Sequence, residues 1–141
     1  GRRFEFKGKY NGADIYDDYA HHPGELKALL DTVENLNYKR TVVVFQPHTY
    51  SRTAALFDDF VKQLRRPDVL LLAEIFAARE KNTIGISSAA LADQIDGAVF
   101  CPTFDELEDP RRAIAAPGDI VLTVGAGNVY KIGEDILRGK R

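Results

Sequence analysis

Two acids, a tyrosine and two histidines crowd into the stretch Asp17-Asp18-Tyr19-Ala20-His21-His22-Pro23. The third and last histidine of the chain, His48, stands just ahead of Arg52 in Phe45-Gln46-Pro47-His48-Thr49-Tyr50-Ser51-Arg52-Thr53. Asp17, Asp18, His21 and His22 are metal-ligand types, but zinc takes several ligands in a tetrahedral shell and adjacent histidines point in different directions in most backbones. No HxH, HExxH or paired-cysteine spacing accompanies them, so no metal ligand is assigned. A helix cap is the structural alternative, with His22 or Asp18 accepting from the free N–H groups ahead of Pro23-Gly24. A ligand-binding turn accounts for more of these residues. A carboxylate at a strand's end accepts two hydrogen bonds from the vicinal diol of a ribose, and Tyr19 with His21 can wall a small polar substrate.

Arg52 falls where an apolar strand gives way to a helix. A fixed positive charge beside unpaired backbone N–H groups suits a carboxylate or a phosphate. The alternative is a surface salt bridge to Asp58 or Asp59. For Tyr50, packing on the sheet edge and ligand contact are both open. Gly125 and Gly127 in Val124-Gly125-Ala126-Gly127-Asn128 look like the start of a dinucleotide-binding turn, but Tyr130 stands where GxGxxG needs its third glycine. A close backbone approach to a ligand and a plain tight turn both fit there. No Ser-His-Asp order and no GxxxxGK[ST] phosphate loop is present, so no catalytic residue is assigned.

The elements that must carry these loops alternate strand and helix. Phe4 and Phe6 alternate with polar residues, and Asn11-Gly12 signals a two-residue turn to a second strand, which makes an N-terminal β-hairpin. Pro23 suits a first helical position, and Leu26, Leu29, Leu30, Val33 and Leu36 follow at helical spacing. Arg40 to Gln46 is a β-branched apolar run of the kind buried on both faces of a parallel sheet. A helix is expected from about Thr53 to Arg66, then a strand over Asp68–Ile75. Ser87–Ile95 reads as another helix, with Ser87 or Ser88 as its cap. Gly97–Cys101 reads as a strand and Phe104–Ala116 as a helix interrupted by Pro110. Gly118–Val124 is the last strand, and the closing helix ends near Gly139. The pattern predicts an α/β, Rossmann-like fold: a mostly parallel sheet with helices on both faces, preceded by the hairpin. Ligands of such sheets bind beyond the carboxyl ends of the strands. The polar loops described above all lie there.

Composition sets the outer limits. The 141 residues suffice for one domain with a real core. Apolar and charged fractions of 45% and 28% are those of a globular chain. A formal charge of −2 gives no general attraction to nucleic acid or anionic membranes. The single Cys101 excludes an internal disulfide and suits burial in a reducing compartment. No apolar run approaches the ~20 residues of a membrane helix, and a cytoplasmic setting is expected. The chain has no methionine and opens on Gly1, which points to an excised piece of a longer protein.

The turn Asp17–Pro23, the stretch Phe45–Thr53 and the closing Val124–Glu134 together resemble the C-terminal domain of the Mur ligases, over essentially the whole chain from Arg2 to about Leu137. The resemblance is strongest to the branch that joins L-alanine to UDP-N-acetylmuramate. It implies ATP-dependent amide formation through an acyl phosphate, in peptidoglycan precursor synthesis, with ATP and Mg2+ required and the metal's ligands lying mainly in a central domain. It also implies partners in the same chain: an N-terminal domain for the UDP-sugar and a central domain with the phosphate loop. Position by position, Arg3 and Asp18 resemble the family's adenosine-contacting pair. Tyr19, His21, His48 and Arg52 resemble the wall of the alanine pocket, with Arg52 holding the carboxylate. Thr49 stands where some members have a second arginine, and the Val124–Asn128 loop would border the acyl phosphate. A second reading from another class is a stand-alone Rossmann-type module that binds a nucleotide or amino acid without catalysis.

Overall fold

The computed structural model describes residues 3–108 and 114–139. Among the described residues six strands form one sheet: β1 Glu5–Tyr10, β2 Ala13–Asp18, β3 Arg40–Phe45, β4 Val69–Ala73, β5 Val99–Cys101 and β6 Asp119–Val124. Their order is β1-β2-β6-β3-β4-β5. Only the β1–β2 pair is antiparallel; the other four pairs are parallel. The expected mostly parallel α/β sheet with its leading hairpin is therefore the fold observed. The last strand, β6, lies between β2 and β3, so the chain returns to the middle of its own sheet.

Asn11 and Gly12 take φ of 51° and 79°, the left-handed values that a two-residue hairpin turn requires at both central positions. A Cβ on Gly12 would also lie 2.9 Å from the Pro117 Cα, so the turn excludes a side chain there by space as well. Phe4, expected in the strand, lies outside it at φ 44°. Its N–H donates to the Asp18 carboxylate at 2.8 Å instead of joining the ladder, and its ring stacks on Tyr16 at 4.3 Å.

The helices are α1 Pro23–Glu34, α2 Tyr50–Ala55, α3 Phe57–Leu64, α4 Ser88–Ala92, α5 Phe104–Leu107 and α6 Tyr130–Leu137. On one face of the sheet Leu26 and Leu30 of α1, Phe60 and Leu64 of α3 and Leu91 of α4 pack with Val43, Phe45 and Leu122. On the other face Leu107 of α5 and Ile132 and Ile136 of α6 pack with Ile15, Val42, Val44 and Val121. Each such burial contributes about 1.5–3 kcal/mol relative to exposure, which holds the strand ends in register beneath the loops. Cys101 is buried in the second of these layers.

Three helices differ from expectation. The second begins at Tyr50 rather than Thr53 and divides at Leu56, whose φ −112° and ψ 23° leave the helical region. The ladder continues across the break, because Leu56 N–H donates to the Arg52 carbonyl and Phe60 N–H to the Leu56 carbonyl. Ser87 caps α4, which stops at Ala92. For the expected Phe104–Ala116 helix, α5 is held at its start by a capping box of Thr103 and Glu106, and the part around Pro110 lies outside the described residues. No helix among the described residues is long and apolar enough to cross a membrane.

Candidate functional site

The two acids that end β2 do different work. Asp17 is 2% exposed and accepts from the Thr123 hydroxyl of β6 at 2.7 Å, which makes it a tie between neighbouring strands. Asp18 accepts from Ala20 N–H on one oxygen and Phe4 N–H on the other, both at 2.8 Å. Burial pushes its pKa up, against the pull of those two N–H groups and the Arg3 charge. The two bonds use about half of the acceptor capacity of a carboxylate. Beside it lies a cavity of about 190 Å³ lined by Arg3, Phe4, Asp18, Glu25, Leu29 and Thr32. Arg3 and Asp18, paired from the sequence, thus share one recess, with the Arg3 guanidinium 3.5 Å from Glu25. Of the two candidate caps, His22 takes the role: its Nδ1 accepts from Gly24 N–H at 3.2 Å, ahead of Pro23 in the first turn.

Tyr19, His21, His48 and Arg52 are brought together from the loops after β2 and β3. The Tyr19 and His21 rings meet edge to face at 5.3 Å, and the His21 and His48 rings are 5.7 Å apart. An Arg52 Nη1 lies 3.1 Å from His48 Nδ1 and 3.3 Å from the His48 carbonyl oxygen. Among the described residues no ion pair joins Arg52 to Asp58, Asp59 or another acid.

These partners fix the two imidazole tautomers. A guanidinium only donates, so His48 Nδ1 accepts and the proton of the neutral ring sits on Nε2. A carbonyl only accepts, so His21 Nδ1, 3.2 Å from the Tyr19 oxygen, donates, and the lone pair of the neutral ring sits on Nε2. His21 Nδ1 is also 3.5 Å from Glu25. Burial lowers the His48 pKa, and the charges of Arg52 and His21 add to this, with Glu80 opposing them. The cluster therefore holds a cation at Arg52, an N–H donor at His48 Nε2 and an imidazole acceptor at His21 Nε2.

The loop after β4 completes the site, and its residues were not singled out from the sequence. Phe76 stacks on His48 at 5.6 Å and 19°. Its backbone accepts from Thr49 N–H at 2.8 Å and donates to the Pro47 carbonyl at 2.9 Å, a parallel bridge that extends the β3–β4 pairing beyond the strands. Glu80 accepts from Tyr50 N–H at 2.8 Å and Ser51 N–H at 3.0 Å, and from the Ser51 hydroxyl. These bonds, led by the Ser51 hydroxyl, hold the Glu80 carboxyl below the usual range. Arg52 N–H goes to Thr49 Oγ1. The expectation of unpaired N–H groups beside Arg52 is thus corrected: the protein's own Glu80 and Thr49 satisfy the first turn of α2. Thr49 holds φ 70° and ψ 145°, a conformation that costs a β-branched residue about 1–3 kcal/mol.

The glycines after β6 serve a close approach within the protein. A Cβ on Gly127 would lie 2.6 Å from Phe76 Cγ and 2.7 Å from Gln46 Oε1. Gln46 and Asn128 exchange two hydrogen bonds, at 3.0 and 3.1 Å, across the same contact. A larger cavity of about 310 Å³ lies at the opposite, amino-terminal edge, lined by Tyr38, Lys39, Arg66 and Asp68 among others. Arg66 there is already paired with Asp31 and Glu34. Among the described residues no three of His, Cys, Asp and Glu gather closely enough to hold a metal ion.

The doubly wound, mostly parallel sheet defines the class as an α/β domain, and the cation–imidazole cluster lies at the carboxyl edge, where ligands of such sheets bind. Residues 2–127 match the family described as "Mur ligase, glutamate ligase domain", and the chain belongs to that family. It is 48% identical to the UDP-N-acetylmuramate–L-alanine ligase of Clostridium novyi over 143 aligned positions, covering 99% of this chain and 31% of that protein. Among solved structures it is similar to the UDP-N-acetylmuramate-alanine ligase of Thermotoga maritima, with a TM-score of 0.77 at 24% identity over 99% of this chain and 30% of the other. It is also similar to the murein peptide ligase of Psychrobacter arcticus, with a TM-score of 0.70 at 22% identity over 97% of this chain and 29% of the other. At these identities the structural likeness concerns the fold.

Proposed function

We propose that residues 1–141 form the amino-acid-binding C-terminal domain of an ATP-dependent, cytoplasmic ligase that joins L-alanine to UDP-N-acetylmuramate in peptidoglycan precursor synthesis. The observation that carries this reading is the cluster of Tyr19, His21, His48 and Arg52, which gathers a guanidinium and two imidazoles of opposite tautomer at one sheet edge. An α-amino acid has that polarity. Its carboxylate takes the Arg52 guanidinium and the His48 Nε2–H, and its amino group faces His21 Nε2. Arg3 and Asp18 hold the adenosine in the neighbouring recess, and the Val124–Asn128 loop borders the acyl phosphate.

ATP, with Mg2+ held mainly by the central domain, supplies the phosphoryl group that activates the lactyl carboxylate of UDP-N-acetylmuramate. What this chain contributes is placement. The deprotonated amine attacks the acyl carbon, a C–N bond forms, the C–O bond to phosphate breaks, and a nitrogen proton leaves with the phosphate. Before attack the ammonium must lose one proton, and in this reading the acceptor is the His21 Nε2 lone pair, with Glu25 beside Nδ1.

Arg52→Ala in the full-length ligase tests the assignment. The lost charge-assisted hydrogen bond is worth about 1.5–3 kcal/mol, so the KM for L-alanine is expected to rise tenfold or more while that for ATP is unchanged. Equal effects on both substrates would contradict it.

A further inference from the structure

Arg52 and His48 could serve an amino acid only if their loop holds a conformation its own sequence resists. Thr49, between His48 and the first helical residue Tyr50, sits at φ 70°. The carbonyl and hydroxyl of Thr49 are held from α2: Thr53 N–H and Oγ1 donate to the carbonyl, and Arg52 N–H donates to Oγ1. The N–H side of the turn is held from the loop after β4. Phe76 receives the Thr49 N–H on its carbonyl oxygen. Glu80 receives the next two, from Tyr50 and Ser51, on a single carboxylate oxygen, while its other oxygen takes the Ser51 hydroxyl. Three consecutive N–H groups starting at the strained residue are thus tied to one neighbouring loop. Arg52 follows directly after them.

We propose that Glu80 is a positioning residue of the amino-acid pocket: its carboxylate, delivered from the loop after β4, fixes the start of α2 and thereby the aim of Arg52 and the ring of His48. The proposal rests on the ligase reading above and deepens it. Glu80 makes no ion pair with Arg52 among the described residues. It therefore holds the loop without occupying the guanidinium, which keeps the donors it does not give to His48 for a substrate carboxylate. Phe76 acts with it from the same loop, closing the far side of the His48 ring. Without Glu80, two of the three N–H ties are lost and the turn is left to Phe76 and to the bonds of Thr49 with Arg52 and Thr53, which loosens the path of Tyr50, Ser51 and Arg52. The contact is strand to strand in origin: β3 and β4 are neighbours, so the loops at their carboxyl ends meet above the sheet.

The test is amino-acid-dependent phosphate release by the full-length ligase carrying Glu80→Ala, Glu80→Asp or Glu80→Gln. Glu80→Ala is expected to raise the KM for the amino acid about tenfold with the KM for ATP within about twofold. Glu80→Gln keeps an acceptor oxygen for both N–H groups and is expected to restore the amino-acid KM to within about threefold of the parent. A purely structural role would instead lower kcat with the folded fraction and leave both KM values in place. Glu80→Asp, a methylene shorter, should show the same split at smaller size, and decides the matter if Glu80→Ala does not accumulate as folded protein. An unchanged amino-acid KM in Glu80→Ala and Glu80→Asp, or a Gln variant as impaired as Ala, would overturn the proposal. Should the parent release no phosphate in response to any amino acid, the ligase reading fails, and the histidine ring 15N resonances of the same full-length proteins then judge Glu80 separately. A shift at His48 with none at His22 supports the positioning role; an unmoved His48 overturns it.

Discussion

Arg52 does two things to His48 at once. Its Nη1 fixes the ring tautomer by donating to Nδ1, and its charge disfavours protonation of that ring. Burial is the largest cause of the lowered pKa, His21 adds to it, and Glu80 opposes it. The sign of the stability effect follows. Unfolded, His48 takes a proton near its ordinary value of 6.5; folded, it takes one only at lower pH. Between those two values the unfolded state binds more protons, so stability falls as pH falls from about 6.5 toward the folded pKa, and nothing is lost above it. Replacing the ring by a group that does not titrate removes this loss. The Tm of His48→Gln relative to the parent is therefore expected to be constant above about pH 7 and to rise steadily as pH is lowered toward about 5. A difference that does not depend on pH would show that His48 is not held neutral by its surroundings.

At the scale of elements, the site depends on how closely three loops approach. Gly127→Ala places a Cβ 2.6 Å from Phe76 Cγ and 2.7 Å from Gln46 Oε1. Overpacking of this kind costs about 1–3 kcal/mol. It also pushes Phe76 off the His48 ring, so a lower Tm together with a higher amino-acid KM is expected. A variant with the parent's Tm would mean the loop yields freely and the contact does not matter. The elements themselves were largely legible in the sequence, and for local reasons. Asn11-Gly12 specifies a primed turn, Pro23 a helix start, and Val42 to Phe45 a strand buried on both sides. The break at Leu56 was not, because Leu56, Phe57 and Phe60 continue the helical spacing of apolar residues without interruption. In the site, the loops that carry Tyr19, His21, His48 and Arg52 could be gathered from the rule that ligands bind at the carboxyl edge, and the four residues as one pocket from the family resemblance. Phe76 and Glu80 could not. Phe76 follows an apolar strand and Glu80 sits in the charged run Arg79-Glu80-Lys81, so each has an ordinary local explanation. Their roles arise only from the adjacency of β3 and β4, as the place of β6 arises only from the sheet order.

At the scale of the whole molecule, the two apolar layers hold the five parallel strands in register, so that loops distant in sequence meet at one edge. That edge brings Tyr19, His21, His48 and Arg52 together and, beside them, the Arg3–Asp18 recess. The chain spans 31% of the length of the Clostridium novyi relative, and the proposed reaction needs groups this chain does not carry, a phosphate loop first among them. The most direct measurement is phosphate release by the full-length protein with ATP, UDP-N-acetylmuramate and L-alanine, omitting each in turn. Release that requires all three, and that this domain alone does not support, is the result the account predicts. A folded full-length protein that releases phosphate equally with and without L-alanine would contradict it, leaving the fold and its carboxyl-edge cluster to be explained by another ligand.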